Sequence, residues 1–233
     1  MTHVSDYDEF AESYARENET SLLNAYYERP AMLALAGDVA GRRILDIGCG
    51  TGPLAEQLAK RGAMVAGFDT SSAMIELARR RLGDKAELCV ATLGENLPYE
   101  DDSFDDAVAS LVFHYLQDWT LALDEVRRVL KPGGRLIMSV NHPILYPFNH
   151  RGEDYFQLTR YTDEVTLDGR SATLTYWHRP LHETMAALIS AGFRVQRVWE
   201  PPYDKNAPVE VVPQPLRERD AFLSFLFFSL SSE

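Results

Sequence analysis

Asp46, Gly48, Gly50, Gly52 and Asp69 carry the first chemical information in the chain. The stretch Ile44-Leu45-Asp46-Ile47-Gly48-Cys49-Gly50-Thr51-Gly52 reads as a buried strand that turns through three glycines into a helix. Glycine permits positive φ and lets a ligand approach the backbone closely. An acid just before such a loop suits a nucleoside with a positively charged amino-acid tail. It suits a pyrophosphate poorly, because a carboxylate repels the anion that a dinucleotide loop holds at its helix N-terminus. The spacing agrees: it is G-x-G-x-G here, against G-x-G-x-x-G in the dinucleotide fingerprint. Asp69 lies 21 residues after Gly48 and ends a second apolar run, Met64 to Phe68. An acid there is placed to accept from ribose hydroxyls. Each acid also has a plainer reading, as a turn cap for Asp46 and a helix N-cap for Asp69.

The elements that must position these residues alternate from Arg42 to Val140. That pattern predicts a parallel sheet with helices on both faces. Pro53 fits the first position of a helix running to Arg61, with Leu54, Ala55, Leu58 and Ala59 at helical spacing and Gly62 as C-cap. Ser71 or Ser72 caps the next helix, with Met74, Ile75, Ala78 and Leu82 inward. A helix from Trp119 to Leu130 turns Ala122, Val126, Val129 and Leu130 inward and is stopped by Lys131-Pro132-Gly133-Gly134. A strand from Arg135 to Val140 follows. Residues 141–180 break the alternation, with strands over Tyr155–Thr166 and Ser171–His178 joined at Asp168-Gly169. A helix over Leu181–Ala191 closed by Gly192, a strand over Phe193–Trp199, a loop over Glu200–Pro215 and a last strand over Ala221–Leu230 complete the chain.

Taken in order, these segments resemble the class I S-adenosylmethionine-dependent methyltransferases. LDIGCGTG (45–52) is similar to their first motif and GFDTS (67–71) to their second. ENLPYEDDSFDDAVAS (95–110) resembles the segment around their fourth strand, and LKPGGRLIMS (130–139) the turn into their fifth. Tyr7-Asp8-x-x-Ala11-x-x-Tyr14 is similar to the N-terminal element of many small-molecule members, and NHP (141–143) with HRPLHETMAALISAGFRV (178–195) to a bacterial subgroup. The resemblance implies a Rossmann-like α/β three-layer sandwich. Its mostly parallel seven-stranded sheet has an antiparallel final strand and a β-hairpin insertion after strand 5. It implies one domain, with residues 1–36 as a helical lid, 37–140 as cofactor core, 141–180 as acceptor region and 181–233 completing the sheet. It implies S-adenosylmethionine as donor and S-adenosylhomocysteine as product. Ligands of open α/β sheets sit outside the carboxyl ends of the strands. The donor-binding candidates are therefore Tyr14, Asp46, Gly48, Cys49, Gly50, Gly52, Asp69, Thr70, Met74, Thr92, Leu93, Gly94, Ser110, Leu111 and Tyr115. Cys49 is read as packing within this loop, and Met74 as core that also touches adenine. One departure stands out. Relatives place an Asp four or five residues before the Leu-Pro pair, where this chain has Leu93 and Thr92. Backbone groups, the Thr92 hydroxyl and Glu95 are the open alternatives for reading adenine.

Methyl transfer is an in-line displacement that needs alignment and exclusion of water, and a general base only when the nucleophile must lose a proton. His114 follows the fourth strand and His142 the fifth; both are candidate catalytic residues, and both also read as hydrogen-bonded structural histidines. His150, His178 and His182 show no mutual ligand spacing, so no metal is expected. The expected acceptor is a small molecule methylated at O, N or C. Tyr146, Phe148, Tyr155, Phe156, Tyr176 and Trp177 give the insertion an aromatic character that suits a flat acceptor, a homodimer face or packing on the sheet. Alternatives are a non-catalytic protein binding S-adenosylmethionine or its product, a nicotinamide (NAD)-dependent oxidoreductase and an RNA methyltransferase. The oxidoreductase would need the third glycine shifted. A net charge of −12 disfavours nucleic acid as partner.

With 233 residues and 45% apolar content the chain can bury one sizeable core. Two distant cysteines point to a reduced cytoplasm, and the polar Met1 to Phe10 stretch to no signal peptide. The apolar run near the C-terminus falls short of the ~20 residues a membrane helix needs. Arg79-Arg80-Arg81 reads as a solvated helix face.

Overall fold

A computed structural model describes residues 11–167, 169–218 and 222–233. In chain order its elements begin with α1 (Ala11–Thr20), a π-helical turn (Asn24–Glu28) and α2 (Arg29–Ala36). Then come β1 (Arg43–Ile47), α3 (Pro53–Lys60), β2 (Met64–Asp69), α4 (Ser72–Leu82), β3 (Ala86–Val90) and β4 (Phe104–Ser110). The second half holds α5 (Thr120–Val129), β5 (Leu130–Asn141), α6 (Leu145–Asn149), β6 (Thr159–Leu167), β7 (Arg170–His178), α7 (Leu181–Ser190), β8 (Phe193–Trp199) and β9 (Phe225–Ser232). Seven strands form one sheet in the order β3-β2-β1-β4-β5-β9-β8, and β6 pairs with β7 apart from it. Only β9 runs antiparallel, between β5 and β8. The strand order reverses between β1 and β4, where open sheets bind ligands.

The inner strands β1, β2, β4, β5 and β9 are largely buried, unlike the edge strands β3 and β8, which explains why they read as apolar runs. Side chains alternate with period two. Leu45 and Ile47 of β1, Ala107 and Ala109 of β4, and Leu136 and Met138 of β5 pack toward α5 and α7. Ile44, Val108 and Ile137, from the same strands, pack toward α2, α3 and α4. The predicted inward residues of α4 are all buried, and Ser71 is its N-cap, accepting from Met74 N–H at 3.1 Å.

Several boundaries differ from the sequence reading, each for a local reason. Helix α5 ends at Val129, and Lys131 to Gly134 belong to β5 as a bulge. The register with β4 jumps from Phe104↔Leu130 to Asp106↔Arg135. Strand β6 starts at Thr159, not Tyr155, because Asp154 holds a turn by accepting from Phe156 N–H at 2.8 Å. Strand β9 starts at Phe225, opposite Asn141 at the end of β5, and its pairing with β8 begins two residues later. It extends to Ser232, past the expected Leu230. The short helix α6 has no counterpart in the sequence reading. Of the expected hairpin turn, Asp168 lies outside the described residues, as does Tyr7.

At the amino ends of the strands, Asp106 is fully buried between two arginines. Arg42 donates to it at 2.5 and 2.8 Å, Arg135 at 2.7 and 2.8 Å. Arg42 also reaches the carbonyl of Asp105, and Arg135 that of Ala36, tying α2 to the sheet. Removing one partner from such a group leaves uncompensated charge. Both arginines keep some contact with water, which discounts the cost. Asp106→Asn is expected to lower stability by about 3 kcal/mol in urea unfolding. A loss under about 0.5 kcal/mol would show that hydration of the arginines replaces the pair.

Candidate active site

Where β1, β2 and β4 end, the chain encloses a cavity of about 380 Å³. A chamber of about 40 Å³ adjoins it, and Tyr14, Gly48, Gly50 and Ser110 line both. The glycine loop shapes the junction. Gly48 and Gly50 have φ of +61° and +54°. A Cβ on Gly48 would lie 2.6 Å from Val112 Cγ2, so this position lets the segment after β4 close against the loop. A Cβ on Gly50 would meet no protein atom within 4 Å and would project into space a ligand can use. Leu111, just after β4, holds φ +56°, a costly conformation for a branched side chain. Its N–H is shared between the carbonyl (3.2 Å) and Oγ (3.0 Å) of Ser139.

Three carboxylates converge at this junction. Asp69 accepts from Gly50 N–H and Ser71 N–H, both at 2.9 Å, and so bridges the glycine loop and the start of α4. Its oxygens retain lone pairs for further donors. Asp46 is buried at the end of β1 and accepts from Ala55 N–H in the first turn of α3. It thus caps that helix in place of Gly52, which has no side chain to do so. Its Oδ2 has no partner, and neither does the buried Oγ1 of Thr51; both residues line the small chamber. Burial first, then the charges of Glu28 and Asp69, push the Asp46 carboxyl up to about 8. Glu28, from the π-helical turn, is also buried. Ser110 Oγ and Ser139 Oγ donate to its Oε1 at 2.7 and 2.6 Å, and burial outweighs these bonds to raise its pKa. Of the residues lining the chamber, Arg29 is the one cation, and its guanidinium donates to the backbone (2.7 Å) and side-chain oxygens of Asn18.

The donor-binding candidates sort clearly. Tyr14, Gly48, Gly50, Asp69, Thr70, Met74, Thr92, Leu93, Ser110, Leu111 and Tyr115 line the main cavity, and Asp46 and Cys49 the chamber. Gly52 and Gly94 line neither. Thr92 is in place, whereas Glu95 is not among the lining residues. His114 lines the main cavity, buried among aromatic rings. His142 does not line it. Its Nδ1 accepts from Ile144 N–H at 3.2 Å within the insertion, and its Nε2 lies 2.7 Å from Glu200 Oε1, which ties the insertion to the loop after β8. Among the described residues no group of three metal-ligating side chains occurs, and no helix is long and apolar enough to cross a membrane.

Sequence reasoning missed Glu28, Arg29, Thr51 and Phe225. Glu28-Arg29 had a faint signal, as a charged pair beside the apolar stretch 31–36. Thr51 lay inside the motif but had no assigned role.

The arrangement fits a ligand with a cationic head. Two orphaned oxygens, a second buried acid and a chamber the size of an ammonium group ask for several donors on one positive centre. Comparison with known proteins agrees. Residues 45–138 match the methyltransferase domain family. The chain is similar to a demethylmenaquinone methyltransferase from Clavibacter sepedonicus, 38% identical over 198 residues and covering 80% of each chain. It is similar to a ubiquinone biosynthesis O-methyltransferase from Alkalilimnicola ehrlichii, 39% identical over 124 residues, 51% of this chain and 50% of that one. A crystal structure of an S-adenosylmethionine-dependent methyltransferase from Mesorhizobium loti superposes with a TM-score of 0.66 at 28% identity, covering 87% of this chain and 96% of the other. On the match to the family model, the identity shared with the curated relatives and the common fold, the chain belongs to the class I S-adenosylmethionine-dependent methyltransferases.

Proposed function

We propose that the chain methylates a small, planar, hydroxylated aromatic acceptor of the quinone type, with S-adenosylmethionine as donor. The observation that carries the reading is the acidic, cation-poor chamber opening into a largely apolar cavity. Asp46, Thr51 and Glu28 would hold the ammonium of the donor. Asp69 would accept from its ribose, and Met74, Thr92 and Leu93 would frame its adenine. When bound, the donor supplies an electrophilic methyl on a sulfonium, with a neutral thioether as leaving group.

The chain's own contribution is alignment and dryness. Tyr14 from α1 and Val165, Leu174 and Tyr176 from the β6–β7 hairpin wall the cavity on the sides away from the sheet. This supports reading residues 1–36 as a lid and 141–180 as the acceptor region. The relatives named for quinone methylation support a ring-shaped acceptor, as does the aromatic wall. Release of S-adenosylhomocysteine on incubation with reduced naphthoquinones and benzoquinones is the direct test. Turnover with neither class would leave the acceptor assignment without support.

Two measurements test the donor site. Below pH of about 8 Asp46 carries a proton in the empty site, and an ammonium beside it favours the ionised form. Binding therefore expels a proton. Affinity for S-adenosylhomocysteine should rise between about pH 6 and 8, by at most about tenfold per unit, and level off above. Calorimetry in buffers of different ionisation enthalpy should read this proton, and Asp46→Asn should abolish it. Affinity independent of pH would mean that Asp46 does not face the ammonium. Gly50→Val places a side chain in the ligand's space at a positive φ and should weaken binding about a hundredfold or more, with an unchanged circular-dichroism spectrum.

A further inference from the structure

His114 is the polar group of the main cavity whose protonation geometry is fixed by the fold. Its Nδ1 accepts the backbone N–H of Asn141 at 3.2 Å. Only an unprotonated ring nitrogen can accept, so the neutral ring carries its proton on Nε2. Among the described residues the one hydrogen bond of this ring is the one at Nδ1, which leaves Nε2–H available to the cavity that His114 lines. Tyr115 and Tyr176 meet the imidazole edge-on, at centroid distances of 4.6 and 5.1 Å, and hold its plane. Burial alone pushes the imidazole down to about 3, with no carboxylate contributing to stabilise an imidazolium. The cavity that His114 lines also carries the apolar side chains of Leu111, Val112, Leu116, Leu174 and Phe225.

We propose that His114 is a permanent Nε2–H donor that binds an oxyanion of the acceptor, the ionised hydroxyl of an aromatic ring, and that it is not a general base. This rests on the methyltransferase reading above and assigns the part that reading leaves open. Nε2 already holds a proton, and Nδ1 can gain one only by breaking its bond to Asn141. The site therefore selects an acceptor that arrives as, or relaxes to, its anion. The hydroxyl proton passes to water when the ring ionises. In the transfer, the anion's electron pair forms the bond to the methyl group while sulfur keeps the pair of the bond that breaks. A charged acceptor oxygen facing the N–H of this buried ring gains far more from that bond than a neutral hydroxyl does.

The test uses protein loaded with S-adenosylhomocysteine, whose binding is first established by calorimetry. Failure at that stage would sink the methyltransferase reading itself. With the complex in hand, 4-nitrophenol is titrated and its absorbance reports ionisation. Bound phenol should ionise about one pH unit below free phenol. His114→Ala should erase that shift and weaken binding of the anion about tenfold, while His114→Gln, which offers an amide N–H, should keep most of both. In the unmodified protein, ¹⁵N spectra should show the Nε2–H tautomer of His114 throughout, from about pH 5 to 9. A His114 that titrates in that range, phenol bound in its protonated form, no binding of phenol, or an alanine variant equal to the parent would each overturn the proposal.

Discussion

Everything at the carboxyl end of this sheet follows from burying carboxylates without enough positive charge to pair them. The opposite end of the molecule shows the alternative. There Asp106 is equally buried and receives two arginines in near-bidentate geometry. At the glycine loop, Asp46, Asp69 and Glu28 are held by backbone N–H groups and serine hydroxyls instead. Neutral donors fix the position of an acid while leaving its charge uncompensated. Arg29, the one cation among the residues lining the chamber, is engaged by Asn18. The result is a confined cluster of acids whose ionisation the fold does not support by itself: burial holds the Asp46 carboxyl up at about 8 and raises that of Glu28, so a cation entering the chamber would complete their charge balance.

The N-terminal segment is part of this balance and not an accessory to it. The π-helical turn delivers Glu28 to the ends of β4 and β5, where Ser110 and Ser139 meet it. One residue earlier, Tyr27 is fully buried against Phe222, Phe225 and Phe227. Arg29 then reaches back to Asn18 on α1, and Arg81 of α4 pairs with Glu19. A single short stretch thus anchors in the core, supplies an acid to the site and holds the helix that carries Tyr14. Such wide turns interrupt α-helices where a side chain must be aimed at a site.

How much of this was legible depended on whether the signal was local. The turn from β1 to α3, the end of β2, and the inward face of α4 are written in short patterns of glycine, alternation and helical spacing. Those residues fell where expected. Asp46 and Asp69 were legible because their neighbours fix which strand end they occupy. Glu28 was not, since an acid in a helical stretch reads as surface until the serines 82 and 111 residues away in sequence are brought to it. The bulge of β5 and the start of β9 depend on pairing partners, so strand-like composition alone misplaced them. His114 and His142 looked equivalent, each following a strand. Only their hydrogen bonds separate a ring facing the cavity from one that fastens a loop.

Leu111 sets a limit on how this scaffold can diversify. Its left-handed backbone is adopted cheaply by glycine and, less so, by asparagine or aspartate. None of these can supply the apolar wall that leucine gives the cavity. Other apolar residues would keep the wall but pay the same conformational cost again, with the β-branched ones paying most. The exit of β4 is therefore poor ground for evolutionary drift. Changes in acceptor range should accumulate on the β6–β7 hairpin, at positions such as Val165 and Leu174, where the strand backbone is relaxed and side-chain size alone is at stake.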